Sequence, residues 1–416
     1  MRALMGAACC LAALPAHAQD MQHRRRGTVE NPNEVLSRAR PGYDPVGVRV
    51  GGFTVLPYVD VQTIYDDNVF ASQADRRSDV SGLVTVGGVA RSDWSRHSLS
   101  LEGFGSAERF ATETRQNNER ADVRLRGRVD VLRKLNFDGT ARIARLVEAR
   151  GSQGDLFIGG TAPTFTVKEA MAGVGYAPGR ISLRVDGGVS DYRYSPIRID
   201  SGEVSQRYRD NRETTIGGRA SYAFSPNLST FVTGRHTDVS YRNRGTGFDL
   251  DSANTSLLVG ADFSITRLLV AEVGVGWIGQ KFDDPRFRDA SGLAYDGRIV
   301  FNATKLMTFT LQGRSTVEQS AIVGVAGVLR RDATLGVDYE FLRNLIIHAD
   351  GSLIDRNYRG ANRSDSLVGA RLGARYLLNR TLSLGLNYQH EGQRSSGPMA
   401  REYDANRVSL SLRIQR

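Results

Sequence analysis

Apolar and polar residues alternate along this chain with a period of two, most cleanly over 404–414, DANRVSLSLRI. Val408, Leu410, Leu412 and Ile414 fall on one face of an extended strand, and Arg407, Ser409, Ser411 and Arg413 on the other. In a soluble sandwich the polar face meets water and the apolar face a second sheet. In an outer-membrane barrel the apolar face meets lipid and the polar face lines a lumen. The same alternation predicts strands over 53–65, 79–90, 97–110, 118–131, 135–147, 165–176, 181–194, 211–224 and 228–241. It continues over 251–265, 268–282, 292–303, 308–317, 327–341, 345–358, 365–378, 382–393 and 404–414. That is about 18 strands, with 16 also compatible.

The connections decide which solvent lies on each side. Those at 132–134, 177–180, 225–227, 266–267, 342–344 and 379–381 are tight, whereas 66–78, 148–164, 195–210, 283–291 and 394–403 are long and polar. Short and long alternate, as in bacterial outer-membrane barrels with short periplasmic turns and longer outer loops. A sandwich has no reason to sort its loops in this way. A propeller would put four short strands, not two long ones, into each repeat of about 40 residues. Strands of about 11–15 residues exceed the usual 5–6 of globular sheets and suit a tilted bilayer crossing. The expected fold is all-β: a transmembrane, antiparallel, up-and-down β-barrel over 53–416, in the cell outer membrane.

The segment 118–131 shows both faces. Ala121, Val123, Leu125, Val129 and Val131 alternate with Asp122, Arg124, Arg126, Arg128 and Asp130. The second set is the candidate lumen and selectivity lining. Three arginines two residues apart repel one another on a bare edge, so neighbouring strands are expected to supply carboxylates. Over 345–354 both faces are apolar, and the pattern assigns no lipid side. Many strands end in aromatics, namely Tyr58, Tyr65, Phe110, Tyr194, Phe224, Tyr241, Phe282, Phe341 and Tyr358. They read as the interfacial girdles of a barrel, although β-propensity alone also favours aromatics in strands. The final residues, Ile414-Gln415-Arg416, depart from the aromatic end common among outer-membrane proteins.

Ahead of the strands, Arg2, the apolar stretch 3–14 and Ala16-His17-Ala18 read as a secretory signal over 1–18. Cys9 and Cys10 both fall within it, so the mature chain is expected to lack disulfides and thiolate metal sites. The stretch 19–52 reads as an irregular periplasmic arm, with Arg24-Arg25-Arg26, a short helix at 33–38 and order gained on meeting a partner. No apolar run after the N-terminus reaches the length of a transmembrane helix.

The 416 residues carry a net charge of +10, and all but four of the 55 basic residues are Arg. Either a GC-rich genome or the bidentate pairing of Arg with luminal carboxylates accounts for that bias. The arginines sit at alternate strand positions instead of on one helix or tail, which argues against nucleic acid. No catalytic constellation, metal site or cofactor motif is predicted. His236, His348 and His390 lie on separate strands, no G-x-S-x-G or HExxH pattern occurs, and Gly159-Gly160 lacks the strand–loop–helix setting of a phosphate site.

Residues 35–70 read VLSRARPGYDPVGVRVGGFTVLPYVDVQTIYDDNVF. Arg38, Arg40, Pro41, Tyr43, Asp44, Pro45, Gly47, Arg49, Gly51, Phe53, Pro57 and the run Tyr65-Asp66-Asp67-Asn68-Val69-Phe70 resemble the start of the putative β-barrel porin 2 family of Gram-negative outer membranes. The resemblance implies an outer-membrane component of exopolysaccharide or capsule export, with outer-membrane lipid, a polysaccharide and periplasmic export proteins as partners. Read from the residues alone, Asp66-Asp67-Asn68 is a turn cluster or a set of oxygen ligands for Ca²⁺. Three readings stand: an export barrel, a general or anion-selective diffusion porin, and a structural barrel.

Overall fold

The computed structural model describes residues 34–243, 247–265, 268–322, 325 and 327–416. The expected signal segment and the start of the arm lie outside them. Strand β1 (Val48–Val50) folds back as a hairpin on β2 (Phe53–Asp66). The wall continues through β3 (Asp79–Ser92), β4 (Ser98–Phe110), β5 (Asn118–Leu132), β6 (Leu135–Val147), β7 (Thr164–Tyr176) and β8 (Ile181–Tyr194). Strands β9 (Ile197–Ile199) and β10 (Gly202–Val204) form a separate hairpin within the next loop. The wall resumes with β11 (Asn211–Ser225), β12 (Leu228–Tyr241), β13 (Ser252–Ile265), β14 (Leu269–Phe282), β15 (Ala290–Thr304) and β16 (Met307–Gln319). It ends with β17 (Gly327–Leu342), β18 (Leu345–Arg359), β19 (Arg363–Leu377), β20 (Leu382–Ser396) and β21 (Tyr403–Gln415).

Each long strand pairs antiparallel with the next, and β2 pairs with β21 from Tyr58↔Gln415 to Asp66↔Arg407. The result is a closed barrel of 18 strands. Closure removes the exposed edges that no spanning sheet can leave in lipid. All 18 expected strands are present. The expected boundaries shift by up to three residues, and β1, β9 and β10 were not anticipated.

The connections sort into a turn end and a loop end. One loop-end connection breaks the expected alternation, because β18 and β19 are joined by 360–362 alone. Gly360, with φ +83°, takes the left-handed conformation that so tight a turn needs.

The alternation places Val123, Leu125, Val129 and Val131 on the outer face of β5, each more than 40% exposed. The same register turns Asp122, Arg124, Arg126, Arg128 and Asp130 inward. On β18 it turns Leu345, Ile347 and Leu353 outward and Ile346 inward. Ile346 is apolar because it packs with Leu377 against Val35 of the arm.

The aromatics divide differently from the expectation. Tyr65, Phe224 and Phe341 face outward, but Tyr194, Tyr241, Phe282 and Tyr358 point into the lumen and are buried or partly buried under loops. An outward aromatic belt does run along the turn end between β6 and β19, built from Phe137, Tyr176, Tyr222, Phe224, Phe301, Phe341 and Tyr376. Phe224 packs edge-on to Tyr222 at 5.0 Å between ring centroids.

The arm 34–52 is ordered against the turn end rather than extended. The expected helix is a single turn, with the Ser37 and Arg38 amides donating to the Glu34 carbonyl. Val35 is fully buried, which contributes about 1.5–3 kcal/mol for such a side chain. Its amide donates to Thr308 Oγ1 at 3.0 Å. Arg38 and Arg40 both reach Glu340, Arg298 pairs with Glu34 at 3.1 Å, and Arg380 donates to the Pro41 carbonyl. Residues 34–41 of the arm therefore lie within the sector bounded by β15 and the β19–β20 turn, and β1 carries the chain from there to β2.

Candidate functional site in the barrel lumen

Much of the charge on the lumen wall is arranged in pairs, although Arg356 on β18 is buried with Nε and Nη1 unpartnered. Arg142, on β6, has a fully buried side chain and holds Asp122 through Nε and Nη2, with Nη2 at 2.7 Å from Oδ2. Its Nη1 reaches Glu169 on β7 at 3.3 Å. Arg124 lies 3.9 Å from Asp122, Arg126 pairs with Glu102 at 3.3 Å, and Arg128 with Asp130 at 2.8 Å. Onward around the wall, Arg184 meets Asp138 and Asp186, Arg235 meets Asp186, and Arg219 meets Asp262 and Glu272. Arg124, Arg126 and Arg128 stand on the inner face of β5, each beside a carboxylate. The bare positive field that anion selectivity needs is offset at each of them.

Strand register explains why these partners meet. Residues directly opposite one another in adjacent strands share a face. Arg124 faces Glu102 on β4 and Arg142 on β6, and Arg142 faces Glu169 on β7. Alternation alone marks each of these residues as inward. It does not say which height of the neighbouring strand stands beside it, and so does not single out Arg142 and Glu169.

The loop end is built around 148–163. This loop leaves β6 and crosses to the far side of the barrel, where Leu156 packs against Ile322, Val325, Val328 and Tyr358. Gln153 donates to Glu318 on β16 at 3.1 Å. Strand β6 stands about halfway round the wall from β17, so the loop spans the lumen. Arg150 fastens its centre, donating to Asp155, to Gln116 of the β4–β5 connection and to the Gly160 carbonyl. Burial works against the Arg150 charge, lowering its pKa, while Asp155 works to restore it. Arg401, from the β20–β21 loop, donates to Asp155 at 2.7 Å and to the Phe70 and Ala71 carbonyls. The neighbouring loop 195–210 is tied in by Arg209–Glu148 at 2.6 Å and by the Tyr208 hydroxyl donating to the Ala321 carbonyl.

The motif Tyr65-Asp66-Asp67-Asn68-Val69-Phe70 closes the seam between the first and last long strands. Tyr65 faces outward, whereas Asp66 accepts from Arg407 at 2.5 Å. Asp67 accepts from the Asn406 amide and side chain at 2.7 and 2.8 Å and from Arg76 at 2.5 Å. Burial opposes the Asp67 charge, but the bonds from Asn406 and Arg76 hold its carboxyl below the usual range. Asn68 donates to the Asp404 and Ser72 carbonyls and accepts from the Ser72 amide. Val69 and Phe70 are buried, and the Phe70 ring lies against the Arg77 and Arg150 guanidiniums. The carboxylates thus face N–H donors and cations, an arrangement made for the turn reading and hostile to a bound Ca²⁺.

Comparison with solved structures returns outer-membrane proteins at low identity. OpdQ of Pseudomonas aeruginosa is 12% identical at a TM-score of 0.46, with 87% of this chain and 98% of that one covered. The outer-membrane protein OpdK of the same organism is 13% identical at 0.46, covering 87% and 99%. OccAB3 of Acinetobacter baumannii is 11% identical at 0.46, covering 87% and 99%. No curated protein matches the chain. The family profile described as putative beta-barrel porin 2 matches residues 40–416. The chain belongs to the putative β-barrel porin 2 family and is an outer-membrane β-barrel porin.

Proposed function

We propose that the protein is a narrow diffusion channel for small polar solutes, selecting by size and hydrogen bonding more than by net charge. One observation carries this reading: loop 148–163 crosses the lumen and is fastened to the opposite wall at Leu156 and Gln153. A barrel of 16–18 strands left empty encloses an open aqueous channel, and a strut across it narrows the passage. The paired wall charges offer a solute both donors and acceptors while leaving little uncompensated field. Swelling of proteoliposomes tests this. A neutral sugar and an anionic sugar acid of similar size are expected to enter at comparable rates. A strong preference for the acid would restore the anion-selective reading.

Export of a polysaccharide with periplasmic partners is the second reading. It is favoured by the arm, which is seated at the turn end by ion pairs from Glu34, Arg38 and Arg40 that a partner can exchange for its own. In that reading, deleting the gene abolishes surface polysaccharide, and restoring a barrel without 34–46 fails to recover it. Normal polysaccharide in the deletion strain would remove the export role and leave the channel.

A further inference from the structure

The barrel wall forks between β15 and β16. Pairing between them runs from Thr304↔Met307 to Asp296↔Arg314 and then stops. Beyond that point 290–295 pair only with β14, and 315–319 only with β17. Among the described residues neither stretch has a strand partner across the fork. The tip of β16 leans into the lumen. The Tyr241 hydroxyl, on the inner face of β12, reaches Gln319 Oε1 at 3.4 Å, although Gln319 occupies an outward position in the strand's alternation. Tyr295 straddles the point of divergence and donates to the Asp332 carbonyl on β17.

Between the leaning tip and the inner wall lies a cavity of about 130 Å³. Thr237, Asn254, Leu258 and Ile278 line one side, and Val317 and Gln319 the other. Most of its lining charge is paired, with Arg314–Asp296 at 3.2 Å, Arg330–Glu318 at 2.9 Å and Arg235 turned to Asp186 at 3.1 Å, while Glu213 also lines it. Asn254 Oδ1 is buried there without a hydrogen-bond partner. The space thus combines apolar surface with an unfilled polar position and lining charges that are mostly paired.

The fork opens toward lipid. On β14, Val275 and Trp277 stand opposite Tyr295 and Leu293, and both are about half exposed on the outer face. Trp at this height marks the boundary between acyl chains and headgroups. On the other side of the fork is Arg331 of β17, an exposed outward residue. The seal between them is thin. Leu329 lies 3.0 Å from where a Cβ on Gly292 would stand, and Arg331 Nη2 lies 3.7 Å from it. Strand edges are not left bare in a hydrocarbon layer unless they line a cavity.

We propose that the fork is a lateral port and that the space behind it binds an amphiphile from the outer leaflet, one with a single apolar chain and an uncharged hydroxyl-bearing head. The chain lies along Leu258, Ile278 and Val317, and the head donates to Asn254. Leu329 against Gly292 is the seal that the chain displaces. This proposal is independent of whether solutes cross the lumen.

The test uses the full barrel in lipid nanodiscs with a diazirine-bearing alkyl glucoside, and separately with a diazirine glucose lacking the chain. Ala294 and Thr316 would be the next luminal pair in the interrupted register, so the double variant Ala294→Cys/Thr316→Cys closes the fork when oxidised. Wild type is expected to be photolabelled at Leu258 or Ile278 by the alkyl glucoside alone. The label is lost in the oxidised double variant and regained on reduction. Leu329→Trp, which thickens the seal, reduces it without any cross-link. Equal labelling by glucose would make the occupant a soluble sugar. Labelling that survives both the oxidised lock and Leu329→Trp would route the ligand through the lumen. Labelling confined to the outer face would leave the space without an amphiphile. Each of these outcomes overturns the proposal.

Discussion

Asp122 and Arg142 stand on adjacent strands, with Arg142 Nη2 2.7 Å from Asp122 Oδ2 and the Arg142 side chain wholly buried. Removing one partner of a buried pair leaves the other charge uncompensated, at a cost of about 3–5 kcal/mol. Glu169 still reaches Arg142 at 3.3 Å, so the lower end of that range applies. Asp122→Asn is expected to lower the temperature at which the folded barrel converts to the slower-migrating unfolded form on gels. It should also raise anion over cation permeability in planar bilayers, since Arg124 and Arg142 both lose a counter-charge. Unchanged selectivity would mean that the pair lies off the conducting path.

Leu125 and Arg126 are neighbours in sequence with opposite surroundings. Leu125 is 42% exposed on the outer face, whereas Arg126 lies in the lumen beside Glu102. Leu125→Arg places a cation in lipid at a cost of about 2–4 kcal/mol near the midplane, and folded barrel in the outer membrane should fall sharply. Arg126→Glu sets two carboxylates together in water-accessible space, so folding should persist while selectivity moves toward cations. Combining it with Arg124→Glu and Arg128→Glu should enlarge that shift. Assembly of Leu125→Arg at wild-type levels would place β5 the other way round.

The faces of β5 were legible from sequence because a period of two needs nothing beyond the strand itself. Ile346 was not, because its inward apolar side chain answers to Val35, more than 300 positions away and in a segment with no periodicity. The course of 148–163 was illegible for the same reason. Leu156 finds its cluster on the opposite wall, and nothing in its own loop records that distance. Tyr194, Tyr241, Phe282 and Tyr358 read as girdle residues because a strand end looks alike on both faces. Their positions in the alternation turn them inward once the register runs to the last residue of each strand. The fork at Asp296 and Arg314 leaves no trace at all, since the unpaired stretches alternate as regularly as the paired ones.

The strut across the lumen makes its own prediction. Leu156→Asp puts a carboxylate among Ile322, Val328 and Tyr358, which favours release of the loop from the far wall. Single-channel conductance should rise while the heat-modified gel shift stays close to wild type, because the loop is not part of the wall. A conductance equal to wild type would show that the narrowest point lies elsewhere, and the arm at the turn end would be next to remove.

Which end faces the cell exterior follows from loop length, since short turns are periplasmic in bacterial barrels. Epitope tags in 195–210 should be reached by antibody on intact cells, and tags at 225–227 only after permeabilisation. Labelling of the second site alone would invert the barrel.

Asp67 joins the first and last long strands through Asn406 and holds Arg76. Burial disfavours its charge, yet these bonds keep its carboxyl below the ordinary range, so the folded state holds the charged form more tightly than the unfolded chain does. Stability from a depressed carboxyl is fully present above the unfolded value, near 3.9 for Asp, and drains away as pH falls through the lower folded value. The gel-shift temperature contributed by this residue should therefore be flat from neutral pH to about pH 4 and decline below it. Asp67→Asn keeps an acceptor for the Asn406 amide but has no charge to lose. It should start lower at neutral pH and decline less steeply in acid. Parallel acid profiles for the two proteins would show that the seam draws its strength from Asp66–Arg407 and the backbone ladder, with Asp67 contributing only its turn.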